Sequence, residues 1–289
     1  SEMCIRDSPE PFEEVRITLN DYTLNTNGAT FAWFIDGTEI QSAANERAIT
    51  ITAGELGSIT EITEITTLPG GAKIPTKVII KPIRVDMLIE ADTIAPLFYK
   101  GRTVPAVGST VSVTAIPFTG TPQNPESFSY TWKVRNEVIG GGSRFGKNHI
   151  AFNSDFGKNI PVSVEIYDNT GALVTKESII VPLAEPELHF YEINPLRGLS
   201  ERVMGNNFTF IGDEIRVRAE PYFLDSALLS QNPHIEWKLN NRTTQNQSGD
   251  PQEITLRKEG TTGSFTLEFH IRNLRQLLQG VKDTVTISF

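Results

Sequence analysis

The chain has 289 residues, of which 38% are hydrophobic and 21% charged, and its formal net charge is −9. This composition is typical of a soluble globular protein and does not indicate a disordered chain. Nucleic acids and anionic membranes attract cationic surfaces, so the negative charge disfavours both as partners. No run approaches the roughly 20 apolar residues that span a bilayer. We therefore expect no membrane span here and any anchor outside this sequence.

Residues 1–8 read Ser-Glu-Met-Cys-Ile-Arg-Asp-Ser and resemble the translation of a transposon-end adapter used in sequencing libraries. We leave them out of the fold prediction as an artefact of library construction. The exclusion removes Cys4, the one cysteine of the chain, and with it disulfide or thiol chemistry. We also expect the natural start to lie upstream, so the lack of a signal peptide carries no information.

Residues 9–83 show the alternating apolar pattern of half-buried strands. The pattern begins at Val15 and continues into a strand around Trp33, which ends at Asp36-Gly37, a strong hairpin signal. Further strands are predicted around Ile49 and Ile51, around Ile59, Ile62 and Ile65, and around Val78, Ile79 and Ile80.

Residues 84–183 and 184–289 repeat this order. Residues 107–118 and 211–222 match at a constant offset of 104, with Val107-Gly108 opposite Ile211-Gly212. Residues 9–83 show no counterpart of these front strands, as expected of an N-terminally truncated domain. Residues 168–171, Asp-Asn-Thr-Gly, predict another hairpin, and residues 274–278 are the one helical candidate.

The three tryptophans mark the repeating unit. Trp33, Trp132 and Trp237 recur after 99 residues (33 to 132) and 105 residues (132 to 237). Each has apolar or β-branched neighbours two positions before and after it, so three apolar side chains share one strand face. We predict that the three indoles are core residues, since buried aromatics dominate core energetics. The alternative is an exposed platform on which sugar rings stack.

Many short alternating strands with turns between them predict an antiparallel sandwich. The predicted fold is therefore all-β, with three tandem immunoglobulin-like antiparallel β-sandwich domains in an elongated array. The predicted boundaries are 1–8 for the adapter segment and 9–83, 84–183 and 184–289 for the domains. We call the last three the first, second and third repeats. Their connections are short and contain proline, so we expect stiff joints.

Candidate reactive groups are few. The histidines, His149, His189, His234 and His270, lie at least 36 residues apart (234 to 270), which is not metal-ligand spacing. Asp21, Asn25, Asn27 and Gly28 have a faint likeness to a calcium loop but lack its final glutamate; we interpret them as a solvated turn. Whether calcium binds between domains stays open.

A phosphate cradle requires a helix N-terminus after its glycine-rich segment and Ser or Thr after Gly-Lys. After residues 140–147, strand residues follow instead, and Asn148 stands in the place of Ser or Thr. We predict a flexible loop there. No catalytic residue, cofactor site or metal site is predicted, and we expect no enzymatic activity.

The motifs Tyr130-Thr131-Trp132, Ile235-Glu236-Trp237 and Gly146-Lys147-Asn148 resemble those of tandem immunoglobulin-like or PKD-like repeats of bacterial, candidate-phylum surface proteins. The resemblance covers nearly all of residues 9–289. It implies an extracytoplasmic location, at the cell surface or secreted.

The leading functional hypothesis is a non-enzymatic structural or adhesive stalk segment. Any protein or glycan ligand would bind loops at the domain ends, namely residues 20–30, 117–129, 223–232 and 272–282. The alternative hypothesis is an accessory array, with carbohydrate binding as one role, of an extracellular hydrolase whose catalytic domain lies outside this sequence.

Overall fold

The structure is a computed structural model. It describes residues 2–4, 9–20, 26–95, 98–99, 102–121, 124–154, 159–245, 249–274 and 279–289, with the backbone alone for 2–4.

Regular structure in these residues is almost entirely β. The strands up to residue 91 are β1 Glu2–Cys4, β2 Glu14–Asn20, β3 Thr30–Ile35, β4 Thr38–Glu39, β5 Ala48–Thr52, β6 Thr60–Thr67, β7 Lys73–Ile80 and β8 Arg84–Ala91. The next are β9 Thr110–Phe118, β10 Ser129–Val134, β11 Glu137–Phe145, β12 His149–Asn153, β13 Asn159–Tyr167, β14 Leu173–Pro182, β15 Glu187–Asn194 and β16 Gly198–Val203. The last are β17 Asn207–Thr209, β18 Glu214–Tyr222, β19 His234–Leu239, β20 Arg242–Thr244, β21 Glu253–Arg257, β22 Ser264–Arg272 and β23 Gly280–Ser288. One short helix, α1, spans Ala227–Ser230, and 3-10 turns span Gln41–Ala43 and Pro125–Ser127.

The first repeat is a two-sheet sandwich. One sheet has the order β1-β2-β5 and the other β4-β3-β6-β7. Inward residues of both sheets form one apolar core, since Ile17 of β2 and Ile49 of β5 belong to the same cluster as Trp33 of β3 and Ile62 of β6. Two sheets hide their apolar faces in this way.

The third repeat has the same design with more strands. Its sheets have the orders β16-β15-β18-β21 and β17-β23-β22-β19-β20, and β17 is parallel to β23. The core joins Phe190 and Val217 of one sheet to Trp237, Phe269 and Val285 of the other. The second repeat has the corresponding sheets β12-β9-β8 and β11-β10-β13-β14. The prediction of an all-β fold of tandem antiparallel sandwiches is confirmed.

Contacts within the chain divide it into two compact units. The first comprises Ser1–Leu88, Thr114–Ile150 and Pro161–Ile179, and the second comprises Ile89–Val113, Ala151–Ile160 and Ile180–Phe289. Strands of the second repeat occur in both units. The three predicted domain boundaries therefore remain a proposal, and the repeats are used below as names for residue ranges.

Two expectations about the first repeat are wrong. The excluded N-terminal segment contributes a strand, because Glu2–Cys4 pairs with the end of β2. The first repeat also has a counterpart of one front strand, since β2 pairs with β5 as β18 pairs with β21. A strand edge presents unpaired N–H and C=O groups, so even three residues add to it readily.

The glycine-rich segment 140–147 is also different from the prediction, because β11 runs through most of it. Its pairing with β10 jumps from Trp132↔Ile139 to Tyr130↔Arg144, so β11 holds extra residues in a bulge. Gly140, Gly141 and Gly142 have φ of 74°, 82° and 100°. Glycine adopts these values without strain, and the segment is therefore a bulged strand where a loop was predicted.

Candidate functional site

The three tryptophans occupy the same position in their repeats. Trp33, Trp132 and Trp237 are 0%, 2% and 2% exposed. Each indole N–H donates to a backbone carbonyl 13 to 15 residues further on: Glu46 O at 2.8 Å, Lys147 O at 2.8 Å and Pro251 O at 3.0 Å. A buried indole needs such a partner, and its covered faces cannot stack on a sugar ring.

The hairpin after each tryptophan strand also recurs. The central turn residues are Asp36-Gly37, Arg135-Asn136 and Asn240-Asn241, and all six have positive φ. Two-residue hairpins of this kind match the twist of the flanking strands. The carboxylate of Asp36 accepts the amide of Glu61 at 2.8 Å, and the Asn240 side chain accepts that of Thr266 at 2.9 Å. The hairpin predicted at Asp36-Gly37 is confirmed.

The first and second repeats meet within the first unit, at what we call the first joint: residues 56–57 and 119–120. Here two backbones touch. A Cβ added at Gly120 would lie 2.4 Å from the Gly57 Cα, and one added at Gly57 would lie 2.7 Å from the Gly120 Cα. The φ angles of Gly57 and Gly120 are +84° and +82°. Only glycine both lacks a Cβ and adopts such a positive φ without strain.

A groove of about 810 Å³ adjoins the first joint. Its apolar lining includes Ile59, Ile79 and Leu173, which are 63%, 55% and 51% exposed. Asp168 lines it as well, and hydrogen bonds from the Thr170 hydroxyl and nearby backbone amides hold the pKa of its carboxyl below the usual value. The groove is thus an open surface with both apolar and anionic parts.

The second and third repeats meet within the second unit, at the second joint: residues 92–94, 107, 223–226 and 279. Its apolar part is Ile94, which packs against the third repeat's core beside the buried Leu224. Two main-chain bonds hold it there. The Ile94 amide donates to Leu224 O at 2.7 Å, and the Phe223 amide donates to Ile94 O at 2.9 Å.

The polar part of the second joint is Gln279, which is 0% exposed. Its side-chain oxygen accepts the Asp225 amide at 2.7 Å, and its side-chain nitrogen donates to Val107 O at 2.7 Å. The Ser226 hydroxyl also bonds the carboxylate of Asp92. One buried carboxamide therefore bridges backbone groups of both repeats.

An ionic cluster covers the outer face of β18 and β21 in the third repeat. The Arg218 guanidinium donates to Asp250 at 2.7 Å and to Glu253 at 2.8 Å, and it also pairs with Glu220. Burial lowers the pKa of Arg218, but these partners outweigh it and raise the pKa overall. Each of the three carboxylates is paired with Arg218, and Glu253 is also paired with Arg216, which is the pattern of a structural network.

Two buried tyrosines carry shifted pKa values. Burial raises the pKa of Tyr130 to about 12, and its hydroxyl donates to Pro125 O at 2.6 Å. Burial first, and then the hydrogen bond shared with Tyr191, raises the pKa of Tyr222. Both phenols stay neutral at physiological pH and serve packing.

The four histidines do not form one group, although His234 and His270 lie on the paired strands β19 and β22, each two residues from the other's cross-strand partner. His149 contacts the Thr114 hydroxyl at 3.1 Å, and His189 lies 3.2 Å from Glu187. Among the described residues, no group of three or more His, Cys, Asp or Glu side chains is placed to hold a metal ion. Within the same residues, no helix is both long and apolar enough to cross a bilayer.

Two of the four predicted binding loops contribute to the second joint. Segment 223–232 supplies Leu224, and segment 272–282 supplies Gln279. In segment 117–129, Asn124 caps the 3-10 turn by accepting the Glu126 amide at 3.0 Å. Asp21 and Asn25 of the calcium-loop candidate and residues 275–278 of the helical candidate lie outside the described residues.

The fold and its joints define a protein of tandem β-sandwich repeats. No protein-family model and no curated protein matches the chain. Among solved structures, it is similar to the fibronectin(III)-like modules of Clostridium thermocellum CbhA, with 19% identity, TM-score 0.28 and coverage of 63% of this chain and 93% of that one.

Two further solved structures are similar. One holds the three N-terminal domains of the bacteriophage RB49 Highly Immunogenic Outer Capsid protein, with 14% identity, TM-score 0.28 and coverage of 99% and 98%. The other is Bacteroides ovatus SGBP-B in complex with a mixed-linkage heptasaccharide, with 14% identity, TM-score 0.22 and coverage of 96% and 63%. TM-scores of this size do not bear on function, and the fold described above rests on this chain's own strands and cores.

Proposed function

We propose that the chain is a non-enzymatic structural segment, a spacer in which immunoglobulin-like repeats are held in fixed succession. The observation that carries this proposal is the second joint, where Ile94 and Gln279 tie one repeat to the next. Opening the joint would expose Ile94 to water and break the hydrogen bond from the Gln279 side chain to Val107 O, which costs free energy. A Gly/Ser tether has no such cost.

The spacer proposal is tested by the width of the distance distribution across the second joint. With Cys4→Ser as background, one nitroxide on each side of the joint should give a narrow distribution by double electron–electron resonance. The pair Ile94→Ala and Gln279→Ala should broaden it. A broad distribution in the otherwise unchanged chain would count against a spacer.

We place this spacer outside the cytoplasm, at the cell surface or in a secreted protein, because its motifs resemble repeats of bacterial surface proteins. The test is protease accessibility in intact cells that express the full gene. Cleavage of the repeats without cell lysis is the expected result, and complete protection would contradict the location.

A second candidate function is an adhesive or carbohydrate-binding array, including one attached to a hydrolase. The groove beside the first joint favours it, since ligand sites combine apolar walls with a few polar groups. A glycan array probed with the whole chain separates the two functions. A spacer should bind nothing, whereas a glycan whose binding is lost in Leu173→Asp would establish recognition at this groove.

A further inference from the structure

The segments of the second repeat that build the second joint have counterparts in the third repeat. Val107 lies just before β9, and Ile211 lies just before β18, at the offset of 104 residues. The surrounding backbone bonds agree with this correspondence. Ser154 N donates to Ser109 O, and Lys258 N donates to Asp213 O, again 104 residues on. Likewise, Ala106 bridges to Ala184, and Phe210 N donates to Ser288 O.

The segment that follows the first strand of the second repeat also has a counterpart in the third repeat. Residues 92–94 follow β8, and residues 195–197 follow β15. Because β15 runs antiparallel to β18 and pairs up to Glu192↔Val217, its end lies beside the start of β18. Leu196 and residues 211–213 therefore share one end of the third repeat, and we call them the Ile211 surface.

The corresponding segments differ in exposure. In the second repeat, Gly108 and Ser109 are buried, and Val107 is partly buried. In the third repeat, Ile211 is 101% exposed and Leu196 is 95% exposed. Soluble proteins tolerate single exposed apolar residues, but these two occupy the places that form a joint one repeat earlier.

We propose that the Ile211 surface is a docking surface for a further β-sandwich module. The partner would present an end loop like residues 223–226, with free main-chain donors and acceptors, and a buried carboxamide that donates to the Ile211 carbonyl as Gln279 donates to that of Val107. Leu196 and Ile211 would supply the apolar contact. The inference extends the proposed spacer function, on which it rests, by giving a chain of modules its next point of attachment.

The test extends the full chain after Phe289 with a second copy of residues 186–289, which preserves the spacing of the second joint. Ile211→Cys in a Cys4→Ser background reports on the surface through the rate of thiol alkylation. Docking should slow alkylation roughly tenfold or more relative to the unextended chain, because protection follows the population of the open form. Val203→Cys, on an exposed position of β16 in the same repeat, should react equally in both chains.

Two results would overturn the proposal. One is equal alkylation of Ile211→Cys in both chains while the added copy is folded, as judged by shielding of its tryptophan from a soluble quencher. The other result needs no added copy. In the unextended chain, Val107→Ile should leave the second joint closed, because the proposal treats the side chains of Val107 and Ile211 as interchangeable. Faster exchange of the Ile94 or Phe223 amide, whose hydrogen bonds cross the joint, would contradict it. The distance measurement across the second joint tests the spacer function separately, so either idea can fail alone.

Discussion

The two joints connect similar sandwiches by opposite means. At the first joint, Gly57 and Gly120 bring two backbones together without side chains. At the second, Ile94 reaches the core of the next repeat and Gln279 bridges both sides. A sandwich core is specified by alternating apolar residues, whereas a joint depends on single residues that can differ at each repeat.

The difference has an energetic consequence. Close approach at the first joint leaves Ile59, Ile79 and Leu173 at least half exposed around the groove, so little apolar area is removed from water. At the second joint, Ile94 packs against the core of the third repeat, and the side-chain oxygen and nitrogen of Gln279 each have a hydrogen-bond partner. Because burial contributes about 25 cal/mol per Å², we expect the second joint to be the more stable one.

The largest expected effect comes from removing the core indole of the first repeat, which forms one side of the first joint. Trp33→Ala should lower the unfolding free energy of the first repeat by about 3–5 kcal/mol and release the first joint with it. The second joint should persist, since Trp33 has no part in it. Hydrogen exchange measured by peptide would show this, and faster exchange around Gln279 in this variant would refute the separation.

Gln279→Ala should have the next largest effect. It removes the partner of the Asp225 amide and of the Val107 carbonyl, which are both partly buried, and we expect a total cost of about 1–3 kcal/mol. Urea unfolding should reveal the loss, and faster exchange of the Ile94 and Phe223 amides, whose hydrogen bonds cross the second joint, should locate it there. Gln252→Ala is the matched control, because Gln252 is also buried but donates to Ala219 O within the third repeat. It should destabilise that repeat without opening the joint.

A smaller effect is expected at the first joint from Gly120→Ala. The new Cβ meets backbone atoms that cannot move aside, and φ is +82°. Gly71→Ala is the control, since Gly71 has φ +80° and open space around its Cβ position. Both variants carry the left-handed strain of about 1–2 kcal/mol, but only Gly120→Ala should broaden a distance distribution across the first joint. Equal broadening in both would mean that the glycine contact does not set this joint.

Alternation in the sequence predicts strands well and fails where a polar residue faces inward. Ile59, Ile62 and Ile65 indicate a strand, yet the buried residues of β6 are Ile62, Glu64 and Thr66. Glu64 lies opposite Trp33, where the other repeats place Val164 and Phe269. The Thr66 hydroxyl donates to its carboxylate at 2.9 Å. Hydropathy does not reveal a carboxylate that is buried with a partner.

The joints were even less accessible to sequence reasoning. The offset of 104 residues equates Val107 with Ile211, but it does not say which of the two is covered. Gln279 carried no signal, because a glutamine in a predicted loop normally faces water. Gly57 and Gly120 had no distinguishing neighbours either. Only a contact between distant segments gives these residues their role.

The smallest effect separates the repeats by pH. Burial first, and then the positive charges of Arg272 and Lys282, lower the pKa of His270 below the ordinary value of 6.5, although Glu236 opposes this. At pH values between the lowered pKa of the folded protein and 6.5, the unfolded chain binds more protons than the folded one. The free energy of unfolding of the third repeat should therefore fall as the pH falls below 6.5.

The first repeat contains no histidine, and its stability should fall only at a lower pH. The hydrogen bond and charge of Lys77 lower the pKa of Glu61 below 4.5, so its contribution is lost only as pH falls through that more acidic range. Urea unfolding followed by peptide-level hydrogen exchange at several pH values compares the two repeats directly. His270→Gln should flatten the stability profile of the third repeat as the pH falls below 6.5 and leave that of the first repeat unchanged. A profile that keeps its slope in this variant would assign the effect to another group.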